Sequence, residues 1–311
     1  MSASLAFVFP GQGSQSLGML AEHAAGQSII TDTFAEASSA LGYDLWELCQ
    51  ASEEQLNQTD KTQPAILTAS VALWRLWLAE GGERPAFVAG HSLGEYSALV
   101  AAGSLRFADA VKLVELRGTL MQRAVPAGTG SMAAILGLDD ADVLAACSEA
   151  AQGEVVSAVN FNAPGQVVIA GAAAAVGRAI EACKAKGAKR AMPLPVSVPS
   201  HCDLMRPAAE KFAEAINDIA WQAPGIHLVQ NVSAAIVTDI ESLKRDLLAQ
   251  LYSPVRWVET IVLLSELGVT DLVECGPGKV LTGLNKRCVK GINTHTLDTP
   301  DAFVAARGAL V

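Results

Sequence analysis

The sequence predicts an α/β fold, a parallel sheet of strand–helix units interrupted by a smaller ferredoxin-like unit. Three observations predict it. Short β-branched runs alternate with long stretches of helical periodicity, the pattern that builds a parallel sheet. Between about residues 127 and 196 the order changes to strand, helix, strand, strand, helix, strand, the ferredoxin-like arrangement. The 311 residues are 51% hydrophobic and only 17% charged, which supplies a large core and is the opposite of a disordered chain. The reading therefore divides the chain into a large domain of residues 1–126 and 197–311 and an insert of residues 127–196.

Each element follows from local pattern. Leu5–Phe9 is a buried strand that runs into the glycine-rich loop Pro10-Gly11-Gln12-Gly13-Ser14-Gln15. Ala65–Glu80 carries Ile66, Ala69, Leu73, Leu76 and Trp77 at helical spacing, and Gly81-Gly82 ends it. Ala86–Ala89 is a short strand feeding Gly90-His91-Ser92-Leu93-Gly94, with a helix from Glu95 to about Ala102 and another over Asp109–Arg123. In the insert, strands are predicted at Ser131–Leu136, Val155–Asn160, Gln166–Ala170 and Arg190–Val196, with a turn at Asn162-Ala163-Pro164-Gly165. Its helices are predicted at Asp139–Ala151 and Ala172–Lys186. Beyond it come helices at Arg206–Ala220, Ile240–Leu251 and Trp257–Leu267 and strands at Leu228–Val232 and Leu272–Glu274.

Composition narrows compartment and partners. The mean hydropathy of +0.31 raises the question of a membrane span. The best run, Pro64 to Leu78, is about 15 residues and is broken by Arg75, whereas a span needs about 20. Leu5–Phe9 followed by Pro10-Gly11, with no basic residues ahead of it, is not a signal peptide. A net charge of −10 argues against a broad nucleic-acid-binding face. Six scattered cysteines without a Cys-x-x-Cys pair read as reduced thiols of a cytoplasmic protein, and no metal is indicated.

The chemistry concentrates at Gly90-His91-Ser92-Leu93-Gly94. This is G-x-S-x-G between a strand and a helix, the setting of a nucleophile elbow. Ser92 would project from a helix N-terminus, whose free N–H groups favour developing negative charge. A nucleophilic serine needs a base, usually histidine. His23 and His295 read as surface residues, and His91 should point away from its neighbour Ser92. His201, on the loop where the chain re-enters the large domain, and His227 both remain candidates on spacing alone. Arg117 lies on a largely apolar helical stretch. Pattern alone favours a snorkelling surface arginine or a partner of Glu115, the other reading being a buried clamp for a substrate carboxylate. Gln12 is either a turn residue or an oxyanion donor through its N–H.

Taken together, several segments resemble the malonyl-CoA–acyl carrier protein transacylases of type II fatty acid synthesis. They are Phe9-Pro10-Gly11-Gln12-Gly13-Ser14-Gln15, Thr62-Gln63-Pro64-Ala65, Gly90-His91-Ser92-Leu93-Gly94-Glu95, Leu116-Arg117-Gly118, Asn160-Phe161-Asn162-Ala163-Pro164-Gly165-Gln166, Val196-Ser197-Val198-Pro199-Ser200-His201, Gln250-Leu251-Tyr252-Ser253-Pro254-Val255-Arg256-Trp257 and Glu274-Cys275-Gly276-Pro277-Gly278. The resemblance spans nearly the whole chain. It implies an α/β-hydrolase-like domain with an inserted ferredoxin-like subdomain. It also implies transfer of a malonyl group from malonyl-CoA to the phosphopantetheine thiol of acyl carrier protein, by a ping-pong route through malonyl-serine, with no cofactor.

By the same resemblance Ser92 is the nucleophile and His201 the base, and the Gln12 and Leu93 N–H groups form the oxyanion hole. Arg117 holds the malonyl carboxylate, against the pattern-only preference. Gln63 and Asn231 line the site, and the main-chain carbonyl of Gln250 takes the place of an acidic third member. The acceptor and CoA are anionic, so any attraction must be local. Basic residues cluster at Lys184, Lys186, Lys189 and Arg190 and again at Lys286, Arg287 and Lys290. Other readings of the elbow are a serine esterase or thioesterase, the malonyl-loading subunit of a malonate decarboxylase complex, and a non-enzymatic acyl-CoA or carrier-binding module.

Overall fold

A computed structural model of the chain describes residues 2–196 and 198–310. Strands are β1 (Ser2–Phe9), β2 (Pro85–Gly90), β3 (Gly130–Leu136), β4 (Val156–Ala163), β5 (Gln166–Ala172), β6 (Arg190–Pro193), β7 (His227–Val229), β8 (Asp271–Glu274) and β9 (Asn293–Thr296). Five of them form a parallel sheet in the order β7-β2-β1-β8-β9. Phe7 and Phe9 of β1 are fully buried in the core on one side of the sheet, and Ala6 and Val8 in a second cluster against Trp257 and Ile261. Burial on both faces is why these strands read as apolar runs rather than as alternating patterns. The other four form an antiparallel sheet, β4-β5-β3-β6, with the Asp140–Ala151 and Ala173–Ala185 helices packed on it around a separate core. That is the ferredoxin-like strand order, and the α/β class with a parallel sheet and an inserted antiparallel unit is as predicted.

Several elements differ from the sequence reading. The helix expected from Ala65 begins at Thr59 and runs to Ala79, with Pro64 inside it. Pro64 is the sixth residue of the helix, past the partnerless donors of the first turn, so the ladder forgoes the one bond that an N–H there would make to the Asp60 carbonyl. The predicted turn at Asn162-Ala163-Pro164-Gly165 is shorter, since Asn162 and Ala163 belong to β4 and Ala163 pairs with Gln166 of β5, the ladder being irregular at Asn162. The strand from Arg190 stops at Pro193 rather than Val196, and Ser197 of the motif ending in His201 lies outside the described residues. Helices at Ser28–Leu41, Leu45–Ala51, Val280–Cys288 and Pro300–Leu310 and the strand β9 are additions to that reading. All six cysteines are free. No helix among the described residues is long and apolar enough to cross a membrane.

What positions the site is the meeting of loops at the carboxyl ends of β1 and β2, where parallel sheets build their clefts. The antiparallel unit is fastened to this end. Val255 donates its N–H to the Val159 carbonyl at 2.9 Å and accepts from the Phe161 N–H at 3.0 Å. Asn162 at the end of β4 bonds His91 at 2.7 Å, and the Arg287 guanidinium donates to Gln166 Oε1 at 2.5 Å. One edge strand of the insert thus becomes a wall of the cleft.

Candidate active site

Ser92 sits between β2 and the Gly94–Ala101 helix with φ of 53°, a left-handed backbone that a non-glycine residue adopts only under constraint. The constraint is visible in its neighbours. A Cβ at Gly90 would stand 1.9 Å from the Gly94 carbonyl carbon, and one at Gly94 would stand 2.0 Å from the Phe9 carbonyl oxygen. Only glycine lets the turn close this tightly against β1. Asn231, just after β7, locks it further by accepting from the Ser92 N–H at 2.7 Å and donating to the Gly90 carbonyl at 2.6 Å.

His201 also has a positive φ, 65°, and its N–H is held by the Leu251 carbonyl at 2.9 Å. Its Nδ1 lies 2.6 Å from the Gln250 carbonyl oxygen and its Nε2 lies 2.8 Å from Ser92 Oγ. A carbonyl can only accept, so Nδ1 carries the hydrogen and Nε2 is left bare to accept the serine proton. Burial, with the Arg117 charge as the second cause, pushes the imidazole down to about 3. It stays neutral, the form a base must have. An acidic residue is not needed to fix the tautomer, because the carbonyl does it.

The guanidinium of Arg117 is 1% exposed. Nη1 donates to Gln63 Oε1 at 3.0 Å, and Nη2 donates to Gln250 Oε1 at 2.9 Å and reaches Ser92 Oγ at 3.4 Å. Nε has no partner, and the Tyr96 ring lies 5.5 Å from the guanidinium carbon. Glu115, the partner that pattern alone suggested, pairs instead with Lys61 at 2.9 Å. The surface reading of Arg117 fails for a plain reason: helical spacing places it on the inward face, where two glutamine carbonyl oxygens replace solvent. A buried cation held by neutral acceptors, with a donor left over, is arranged to receive an anion.

The remaining residues fall around the same cavity, which has a volume of about 290 Å³. Gln12 and Leu93 line it, and among the described residues neither N–H is bound by a protein acceptor. The Gln12 loop is pressed onto the elbow, so closely that a Cβ at Gly11 would stand 2.5 Å from the His91 carbonyl oxygen. Gln63, Asn231 and Gln250 stand just behind the cavity wall, each bonded to Ser92 or Arg117. All eight residues singled out in the sequence are thereby brought to one place. His227 opens β7, at the opposite end of the sheet, exposed and stacked near Phe87, which leaves His201 as the histidine beside Ser92. His23 corrects the surface reading, being buried with Nε2 2.9 Å from the Leu297 carbonyl; His295 is half-buried against Asp271. His91 turns away from Ser92 as expected, toward Asn162 and Trp257. Two participants have no role in the sequence reading: Glu95, fully buried and bonded to Gln250 at 2.7 Å, and Asn162.

Comparison with known proteins decides the family. The acyl transferase domain model matches residues 6–305. The chain belongs to the acyl transferase domain family. This acyltransferase is 60% identical, over 97% of its length and 98% of the relative's, to a malonyl CoA-acyl carrier protein transacylase of Salmonella typhimurium. It superimposes with a TM-score of 0.99 on the crystal structure of a malonyl-CoA:acyl carrier protein transacylase from Xanthomonas oryzae, at 52% identity and covering 100% and 99% of the two chains. Another solved relative, 55% identical with a TM-score of 0.97 and covering 98% and 99%, is a malonyl-transacylase in complex with a type II PKS acyl-carrier protein. These acyltransferases carry the name of the family that the sequence motifs resemble.

Proposed function

We propose that the protein transfers a malonyl group from malonyl-CoA to the phosphopantetheine thiol of acyl carrier protein through a malonyl-Ser92 intermediate, in the cytoplasm and for fatty acid synthesis. The observation that carries this reading is the geometry at one oxygen: Ser92 Oγ lies 2.8 Å from a bare His201 nitrogen and 3.4 Å from the buried Arg117 Nη2. A nucleophile, its base and a cation for a carboxylate meet within one cavity, beside N–H groups free to bind an oxyanion. The division of the chain at residues 127 and 196 belongs to the same reading.

In the first half-reaction His201 Nε2 takes the Ser92 proton as Oγ forms a bond to the thioester carbonyl carbon. The oxyanion is held by the Gln12 and Leu93 N–H groups; such a donor typically contributes about 3–4 kcal/mol. The C–S bond then breaks and the proton passes to the departing CoA sulfur. The second half-reaction runs in reverse, with the carrier thiol as attacker. The thioester is already activated, so these residues suffice for each proton transfer. Arg117 and the malonyl carboxylate form a charge-assisted pair that an acetyl group cannot make, so acetyl would leave the guanidinium unanswered.

Intact mass after mixing with malonyl-CoA tests this. A malonyl adduct on the protein, absent in Ser92→Ala and discharged by holo acyl carrier protein, is the expected result. Free malonate without a carrier points instead to an esterase or thioesterase. Discharge to a decarboxylase carrier alone points to a malonate decarboxylase subunit, and no adduct at all to a binding module.

A further inference from the structure

Arg117 and Glu95 are both buried, and among the described residues neither meets an opposite charge directly. They are joined through a single amide. Gln250 Oε1 accepts from Arg117 Nη2 at 2.9 Å, and Gln250 Nε2 donates to Glu95 Oε2 at 2.7 Å. Glu95 Oε2 also accepts from the Asn231 N–H at 3.3 Å, while Oε1 has no partner. One half of the carboxylate is thus satisfied as an anion, and the other is left without a partner in a fully buried position.

We propose that Glu95 is the resting countercharge of Arg117 and takes up a proton when a substrate carboxylate pairs with the guanidinium. The inference rests on the malonyl-transfer reading above. Physically, an ionised carboxylate in a buried site is tolerated because a cation stands one amide away. A malonyl carboxylate that arrives on Arg117 neutralises that cation from the other side. It would leave two anions sharing one positive charge, and like charges this close cannot both stay ionised. The substrate carboxylate has the direct pair, so Glu95 is the one that protonates.

The surroundings favour this assignment. The charged and titratable groups facing Glu95 are Arg117 on the Phe107–Ala124 helix, Asp246 on the Ile240–Ala249 helix and Tyr96 on its own helix. The loop after β7 and the Thr59–Ala79 helix bring uncharged Gln230, Asn231 and Gln63. Asp246 opposes ionisation of Glu95, and burial, the largest cause, raises its carboxyl to about 7 before any substrate is bound. His201 is already held neutral and cannot serve as the acceptor. Glu95 is in these terms a positioning residue, since it acts on the substrate through Gln250 and Arg117.

The test is proton counting during acylation in weakly buffered solution at pH 7 with an indicator dye. The chemistry itself is proton-neutral: the Ser92 proton ends on the CoA thiol, which at pH 7 stays largely protonated. Burial brings the Glu95 carboxyl into the neutral range, so it is partly ionised at that pH, and malonylation should take up a measurable fraction of a proton per enzyme, while acetylation by acetyl-CoA takes up none. By linkage the KM for malonyl-CoA rises with pH through this region, at most about tenfold per pH unit, and that for acetyl-CoA stays flat. Glu95→Gln, fixed in the neutral form that the bound carboxylate favours, should show a malonyl-CoA KM at pH 7 no higher than wild type and neither the uptake nor the slope. Equal uptake with both thioesters, uptake that persists in Glu95→Gln, or a malonyl adduct formed by wild type without uptake overturns the proposal. The wild-type comparison of the two thioesters decides even if the variant does not fold. Absence of any malonyl adduct would instead remove the transfer reading beneath it.

Discussion

Gln250 touches Arg117 and His201 with different atoms of the same residue: its side-chain oxygen takes a guanidinium N–H at 2.9 Å, and its main-chain oxygen lies 2.6 Å from the imidazole Nδ1. The guanidinium and the imidazole beside Ser92 are therefore both held by one residue, the C-cap of the Ile240–Ala249 helix. Replacing it disturbs both functions unequally, because only the side chain is lost. In Gln250→Ala the carbonyl still fixes the histidine tautomer, while Arg117 and Glu95 each lose a partner. The expected outcome is a rise in KM for malonyl-CoA of tenfold or more with a smaller fall in kcat, measured by steady-state transfer to acyl carrier protein.

Arg117→Ala removes the one cation that reaches Ser92 Oγ among the described residues. The malonyl carboxylate then enters a buried site unpaired, at a cost of about 3 kcal/mol or more, close to a hundredfold or larger in kcat/KM. Acetyl-CoA has no such group, so its kcat/KM should hold or improve. Side-by-side kinetics with the two thioesters check this, and equal losses for both would sink the role assigned to Arg117.

How much of this arrangement can be read from residues alone depends on what each signal measures. Helical spacing located the long helices, and the change of element order located the antiparallel insert, because both are local patterns. The G-x-S-x-G segment is local too, and its glycines are explained by the approach of Phe9 to within 2.0 Å of a Cβ at Gly94. Arg117 shares its helix face with the buried Ala110, Val114 and Met121, so its inward direction is a local signal; what is not local are its acceptors, Gln63 and Gln250, 54 and 133 residues away. Only the family motifs supplied its role. His23 misled for the same reason: its partner is the Leu297 carbonyl, 274 residues on. Glu95 was visible inside a quoted motif, yet nothing local says that its carboxylate is sealed behind Gln250.

Asn231 holds the elbow in its left-handed conformation by bonding the backbone on both sides of it. Asn231→Ala leaves the Ser92 N–H and the Gly90 carbonyl without partners, and each orphaned group costs about 1–3 kcal/mol. The expected result is a lower Tm, together with a loss of malonyl-adduct formation that exceeds any loss of malonyl-CoA binding. Calorimetry and single-turnover acylation separate the two effects.

The two basic clusters differ chiefly in where they stand relative to the cavity. In the first, Lys184 and Lys186 pair with Glu181 and Glu149 at 2.8 and 2.9 Å, while Lys189 and Arg190 enter no ion pair among the described residues. Lys286, in the Val280–Cys288 helix, and Lys290 just beyond it enter no ion pair among the described residues, and the same helix sends Val280, Leu281 and Leu284 to the cavity wall. An acidic carrier that delivers its arm past Val280, which is 50% exposed, meets this second cluster first. Lys286→Glu with Lys290→Glu should raise the KM for acyl carrier protein severalfold and leave Ser92 malonylation by malonyl-CoA unchanged, and the same reversal at Lys189 and Arg190 should do less. Transfer assays across a carrier concentration series, at low and high salt, read the difference.

The low affinity of His201 for protons has a signed consequence. Its neutral form is favoured first by burial and then by the Arg117 charge, so the ring protonates only near pH 3. With acetyl-CoA, whose binding needs no carboxylate pair, kcat/KM should show no acid limb from His201 down to about pH 4. Arg117→Ala deletes the second cause and leaves the first, so the limb should move to higher pH, toward but short of the ordinary histidine value of about 6.5. The same depression affects folding. The unfolded chain binds a proton at His201 below about pH 6.5 that the native chain refuses until about pH 3, so stability is level above 6.5 and falls as pH drops through that window. His201→Gln, which cannot take the proton, should flatten this part of the stability profile in denaturant titrations at pH 4.5 and 7.5. A slope unchanged by the substitution would place the acid sensitivity on another group.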